Sequence, residues 1–131
     1  MLRVTEARQI FTFVDVDEAP VPSLFRGFSA PVKLDAGHDE DDLAFLMAHD
    51  SDEFNRWEAG QALARKLLLG MVDERAAGRE MTVPDSFVAA FRRVLTDGEA
   101  APAFRAQALA LPSEGDIGEA MRTIDVDGIH A

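Results

Sequence analysis

Apolar positions change their spacing once along this chain, near residue 35. Over Val4–Val16 they crowd together, with Ile10, Phe11, Phe13 and Val14 in β-branched and aromatic company. That crowding predicts a mostly buried strand. Asp17–Pro22 carries Pro20 and Pro22 and predicts a turn or edge segment. Leu24, Arg26 and Phe28 then alternate with Phe25, Gly27 and Ser29, which predicts a second strand that Pro31 interrupts before Val32–Leu34. The two strands would lie as antiparallel neighbours. A two-stranded ribbon alone is marginal in water, so further strands are expected upstream in a longer polypeptide.

From Asp35 the spacing becomes helical. Leu43, Leu46 and Met47 stand at i, i+3 and i+4 behind Asp39, Glu40, Asp41 and Asp42, acids that favour the positive end of a helix. This helix should end near Ala48–His49. Asp50 and Glu53 have the spacing of a capping box and open a long second helix to about Ala77, with Gly78 as its stop. One face carries Trp57, Gln61, Ala64, Leu68 and Met71, and another carries Ala59, Leu63, Leu67 and Gly70. So wide an apolar surface predicts packing on two sides. A third helix should begin near Pro84, with Phe87, Phe91, Val94 and Leu95 as its stripe, and stop at Asp97–Gly98. A fourth should span Pro102–Ala110, and a fifth should start at Ser113 with Asp116 and carry Ile117, Ala120, Met121 and Ile124. Asp125–Gly128 resembles one more helix start, close to the last residue, Ala131. The expected fold class is therefore an α+β fragment. A short antiparallel β segment leads into a mainly α array of about five helices.

Charge sharpens the division. The net charge is −11, from 24 acids and 13 bases. Residues 35–58 hold nine acids and one base, whereas residues 1–34 hold four of each. Such a chain repels phosphate backbones and offers no basic face to an anionic membrane, so neither nucleic acid nor membrane is an expected partner. There is no cysteine, which excludes disulfides, thiol catalysis and thiolate metal sites and fits a cytoplasmic protein.

Several strings carry a resemblance. They are Val4-Thr5-Glu6-Ala7 with Gln9 and Phe11, Phe28-Ser29-Ala30-Pro31-Val32-Lys33-Leu34, Phe45-Leu46-Met47, Phe54-Asn55-Arg56-Trp57-Glu58-Ala59, and Leu109-Ala110-Leu111-Pro112-Ser113. In order and spacing they resemble the bacterial aminopeptidase N family of thermolysin-like (gluzincin) zinc aminopeptidases. The resemblance implies that residues 1–35 are the last strands of an immunoglobulin-like β-sandwich. It implies that residues 36–131 open the helical, armadillo- or HEAT-like C-terminal domain. It further implies a non-catalytic interdomain segment of an enzyme that removes N-terminal amino acids from peptides. Its partners would be the remaining domains of that parent and, through them, peptide substrates. The zinc of that chemistry needs H-E-x-x-H and a distant Glu, and neither that motif nor a GAMEN-type loop occurs here. No catalytic, cofactor-binding or metal residue is therefore assigned in this chain; zinc would belong to the parent.

The remaining candidates have plainer readings. His38, His49 and His130 include no i, i+4 pair for zinc, and His38-Asp39-Glu40 lacks the P-C-x-x-C that a zinc deaminase adds. The Asp15/Asp17, Asp50/Asp52 and Asp125/Asp127 pairs lack the Gly and Glu of a calcium loop and suit caps and turns. Ser23, Ser29, Ser51, Ser86 and Ser113 lie in no G-x-S-x-G elbow. Arg56-Trp57 is the pair of most interest, with Trp57 as a core anchor or as a docking point for a neighbouring domain. The acidic run 35–58 is a solvated face with helix starts, or else lines a route for a cationic amino terminus. The rival function is a free-standing helical adaptor without enzymatic activity. Unpaired strand edges in residues 1–35 would favour strand exchange and a homodimer.

Overall fold

In the computed structural model, residues 3–29, 32 and 34–130 are described. Six α-helices follow a 3-10 turn at Arg26–Phe28: α1 Glu40–His49, α2 Glu53–Ala76, α3 Asp85–Leu95, α4 Pro102–Ala108, α5 Glu114–Ala120 and α6 Val126–His130.

Local chemistry sets each start. Asp39 caps α1 in a reciprocal box: its carboxylate accepts the Asp42 N–H at 2.9 Å, and the Asp42 carboxylate accepts the Asp39 N–H at 3.4 Å. Helix α2 is capped by Asp52, which accepts the Asn55 N–H at 3.1 Å. The expected Asp50–Glu53 box is thus displaced by two residues. Asp50 is instead the C-cap of α1, its own N–H donating to the Leu46 carbonyl at 2.9 Å. Gly78, at φ 66°, takes the left-handed turn that ends the α2 region. Pro84 sits just outside α3 as its N-cap, Pro102 opens α4, and Ser113 with Asp116 closes a full capping box on α5.

Packing then follows from small residues. Helix α1 lies against α2 and α3, α4 against α2 and α3, and α5 and α6 against each other and α2. Their shared core joins Leu43, Ala44, Leu46 and Met47 of α1 to Ala59 and Leu63 of α2, Ala90 and Val94 of α3, and Ala108 of α4. One alanine from each helix lets the backbones approach, while Leu63 and Val94 fill the space between. The long α2 is buried through Ala59, Gly60, Leu63, Ala64 and Val72. Leu67, Leu68 and Met71, expected inside, are only half-buried, and Gly70 is exposed.

The β segment does not form: among the described residues there is no strand. Residues 3–25 run as bends and irregular chain, and the expected second strand is replaced by the 3-10 turn. Two local features oppose a strand there. Phe25 has φ 51° and Gly27 has φ 65°, both left-handed. The apolar side chains that were to face a sheet, Val4, Ile10, Phe13 and Val14, are 67–79% exposed, with no sheet among the described residues to receive them. Val32 and Leu34 are exposed too, while Ala30, Pro31 and Lys33 lie outside the described residues. Among the described residues the regular structure is all helical, and the argument for strand exchange and a homodimer loses its basis with the strands.

Leu63→Ala should destabilise the chain by about 2–5 kcal/mol in urea unfolding. Gly70→Ala should act in the opposite sense, by up to about 1 kcal/mol. A Cβ there meets nothing within 4 Å and removes a helix-interior glycine.

Candidate functional site

Two polar constellations organise the molecule, and both surround the α1–α2 corner. The first is a seam between the Ser23–Gly27 turn and the Asp50–Asn55 corner. Arg26 reaches across it with both guanidinium tips: Nη1 donates to Asp50 Oδ1 at 2.6 Å and to Ser23 Oγ at 3.0 Å, and Nη2 donates to Ser51 Oγ at 2.7 Å. The Asp50 side chain has 0% exposure, whereas that of Arg26 is 46% exposed. A carboxylate so fully removed from water requires such a partner. The Gly27 N–H donates to Asp52 Oδ2 at 2.8 Å. Asn55 completes the join, its Nδ2 donating to Ser23 Oγ at 3.0 Å and to the Leu24 carbonyl at 2.8 Å. Asp52 is held below its ordinary pKa, chiefly by the Asn55 N–H and further by the Gly27 N–H and the Arg26 charge.

The second constellation is internal to the helices. Arg56, buried on α2, donates from Nε to the Met47 carbonyl at 3.2 Å and from Nη1 to Asp97 Oδ2 at 3.0 Å. Its guanidinium carbon lies 5.2 Å from the centre of the Phe104 ring, a cation–π distance. One side chain of α2 thereby ties down the end of α1, the segment after α3, and α4. The Asp97 pKa is lowered, first by the Arg56 hydrogen bond and then by the Glu99 and Ala100 N–H groups. Trp57, beside it, stays outside the buried core. It is half-buried, its ring 5.7 Å from that of Phe54, and the two border a shallow notch with Glu53, Phe104 and Gln107.

A groove of about 650 Å³ adjoins the seam, bounded by Leu24, Leu34, Leu43, Phe54, Ala62 and Lys66 among others. It separates the N-terminal segment from the α1–α2 face. Lys66 spans it, donating to the His38 carbonyl at 2.9 Å.

The structure does not gather the three histidines. His38 stands at the groove, His49 lies 4.9 Å from the Phe45 ring, and His130 pairs with Glu114 at 3.0 Å on the surface. Among the described residues no group of three or more His, Asp or Glu could hold a metal ion. Asp15 and Asp17 are exposed, Asp125 accepts the Gly128 N–H at 2.9 Å, and only Asp50/Asp52 enters a larger network. Of the serines, Ser23 and Ser51 act as seam partners and Ser113 as a cap. Within the acidic run, Asp39, Asp42 and Asp52 cap helices and Asp50 holds Arg26. The sequence pattern placed Arg26 only as an alternating position of the expected second strand and gave it no partner. Its only trace was a lone base in an otherwise apolar stretch.

The chain as a whole is similar to known proteins. The family described as a domain of unknown function (DUF3458_C) with ARM repeats matches residues 40–131, and a DUF3458 family described as having an Ig-like fold matches residues 1–37. Curated proteins named Aminopeptidase N match along nearly the whole chain. That of Escherichia coli K12 is 39% identical over 95% of the chain, that of Caulobacter vibrioides 42% over 96%, and that of Haemophilus influenzae 34% over 100%. The chain spans only 14–15% of the length of these relatives. Among solved structures, Legionella pneumophila aminopeptidase A in complex with aspartic acid superposes on 92% of the chain with a TM-score of 0.72 at 28% identity, through 14% of its own length.

Lowered carboxylate pKa values give a signed prediction. The unfolded chain binds protons at Asp52 and Asp97 more readily than the folded chain does. Their stabilisation is complete above the ordinary aspartate range and is lost as pH falls below about 4. Urea unfolding at pH 7 and near pH 3 should show this loss, and Asp52→Asn with Asp97→Asn should make the acid dependence shallower.

Proposed function

Since this chain belongs to the DUF3458_C family of ARM-repeat helical domains, we propose that it is a non-catalytic, interdomain segment of a zinc-dependent aminopeptidase. The parent would remove N-terminal amino acids from peptides in the cytoplasm. One observation carries the reading. Proteins named Aminopeptidase N align with 95–100% of this chain, yet the chain accounts for about one-seventh of each.

In this reading residues 1–35 end an Ig-like unit and residues 36–131 begin the helical unit, a division supported by the separate family matches to 1–37 and 40–131. The polar seam lies across that boundary. Its task is positional: Arg26, Asp50, Ser51, Asp52 and Asn55 fix how the end of one unit meets the start of the next. The zinc ligands and the general base lie in other parts of the parent, and the peptide substrate and the remaining domains are its partners there.

Two assays test this. Purified chain, incubated with zinc and a leucine-initiated peptide, should release no amino acid and should bind no stoichiometric zinc by calorimetry; trimming or one-to-one zinc binding refutes the reading. Grafted in place of the matching stretch of the Escherichia coli aminopeptidase N, the chain should sustain peptide trimming. A folded but inactive graft would count against the proposed equivalence.

A further inference from the structure

We infer that Arg26 is a latch, a side chain whose forked grip on the α1–α2 corner sets the orientation of the N-terminal segment without stabilising the helical array itself. The inference uses the two-unit division proposed above but none of its peptidase chemistry.

Four observations converge on it. The contacts are asymmetric: the Asp50 carboxylate is buried and fixed at the α1 C-cap, while the arm that meets it is half-exposed and belongs to the short 3-10 turn at Arg26–Phe28. The grip is geometric as well as electrostatic, because the two Nη atoms go to different residues, Asp50 and Ser51. The turn that presents Arg26 is built around left-handed backbone on both sides, at Phe25 (φ 51°) and Gly27 (φ 65°). A left-handed non-glycine residue costs free energy that surrounding contacts must offset. Here they do so through the Gly27 N–H on Asp52 and the Leu24 carbonyl on Asn55. Finally, Asp50 and Asp52 are already ordered from the helical side, Asp50 Oδ1 accepting the Asp52 N–H at 2.8 Å and Asp52 capping α2. The receiving surface is therefore assembled by the helices and does not wait for the turn. Loss of Arg26 should free the turn, let water reach Asp50 in place of the guanidinium, and leave the corner standing.

Hydrogen exchange on the whole chain, followed by mass spectrometry, reads this directly. Arg26→Ala should lower protection of peptides covering residues 20–29 by roughly tenfold or more, as expected for a lost charge-assisted hydrogen bond. Peptides from α2 and α3 should keep theirs. Arg26→Lys retains the charge but not the fork and should fall between, and Ser51→Ala, which removes one tine, should give a smaller loss at the same peptides. Unchanged protection in Arg26→Ala overturns the latch, as does a loss spread evenly over α1–α4, which would make Arg26 a general stabiliser. Peptide trimming by the chain would instead refute the proposed function and leave the latch intact.

Discussion

A carboxylate cut off from water governs how this chain is put together. Asp50 sits where α1 ends, with its side chain at 0% exposure. A buried charge without a partner is among the costliest features a fold can carry, so the sequence must bring a cation to it. The cation comes from Arg26, 24 residues earlier, and with it comes the Ser23–Gly27 turn. Electrostatics at one corner thus decides where an otherwise irregular segment attaches. Apolar burial does little there: Val4, Ile10, Phe13, Val14 and Val16 face solvent, and the core is drawn from α1 to α4 with Val21 packed at its side.

Arg56 repeats the logic inside the array. Its guanidinium is shared by a main-chain carbonyl at the end of α1, the Asp97 carboxylate after α3 and the Phe104 face on α4. Short helices such as α4 and α5, seven residues each, are too short to be stable alone. Arg56 and Ala108 bind α4 into the array, and α5 leans on α6 and α2. The two arginines divide the labour. One binds helices to one another, and the other binds the helices to what precedes them.

The helical part was legible because helix signals are local. Acids before an i, i+3, i+4 stripe, Gly after a long periodic run, Pro at a first turn and Ser with Asp at capping distance all depend on neighbours within a few residues. The N-terminal part misled because strand signals are conditional. Val, Ile and Phe crowding specifies a strand only when a sheet exists to receive it, and nothing in residues 3–29 supplies one. The pairings that define the site were illegible for a related reason. Arg26 with Asp50 and Arg56 with Asp97 are 24 and 41 residues apart, and no periodicity links such positions. Asp50 was noticed, but as a cap for α2; Asp52, two residues on, takes that role. Of the Arg56-Trp57 pair, the arginine is the buried member, and the tryptophan, expected as a core anchor or docking point, is half-buried beside the surface notch.

The central claim is that the buried Asp50 carboxylate holds the Arg26 guanidinium in a fixed position across the seam. Nitrogen-15 NMR of arginine side chains in the intact chain addresses it most directly. The claim requires separate, slowly exchanging Nη protons on Arg26 with through-space contacts to the Ser51 side chain. A single averaged, rapidly exchanging Arg26 signal, indistinguishable from those of solvent-exposed arginines, would contradict it.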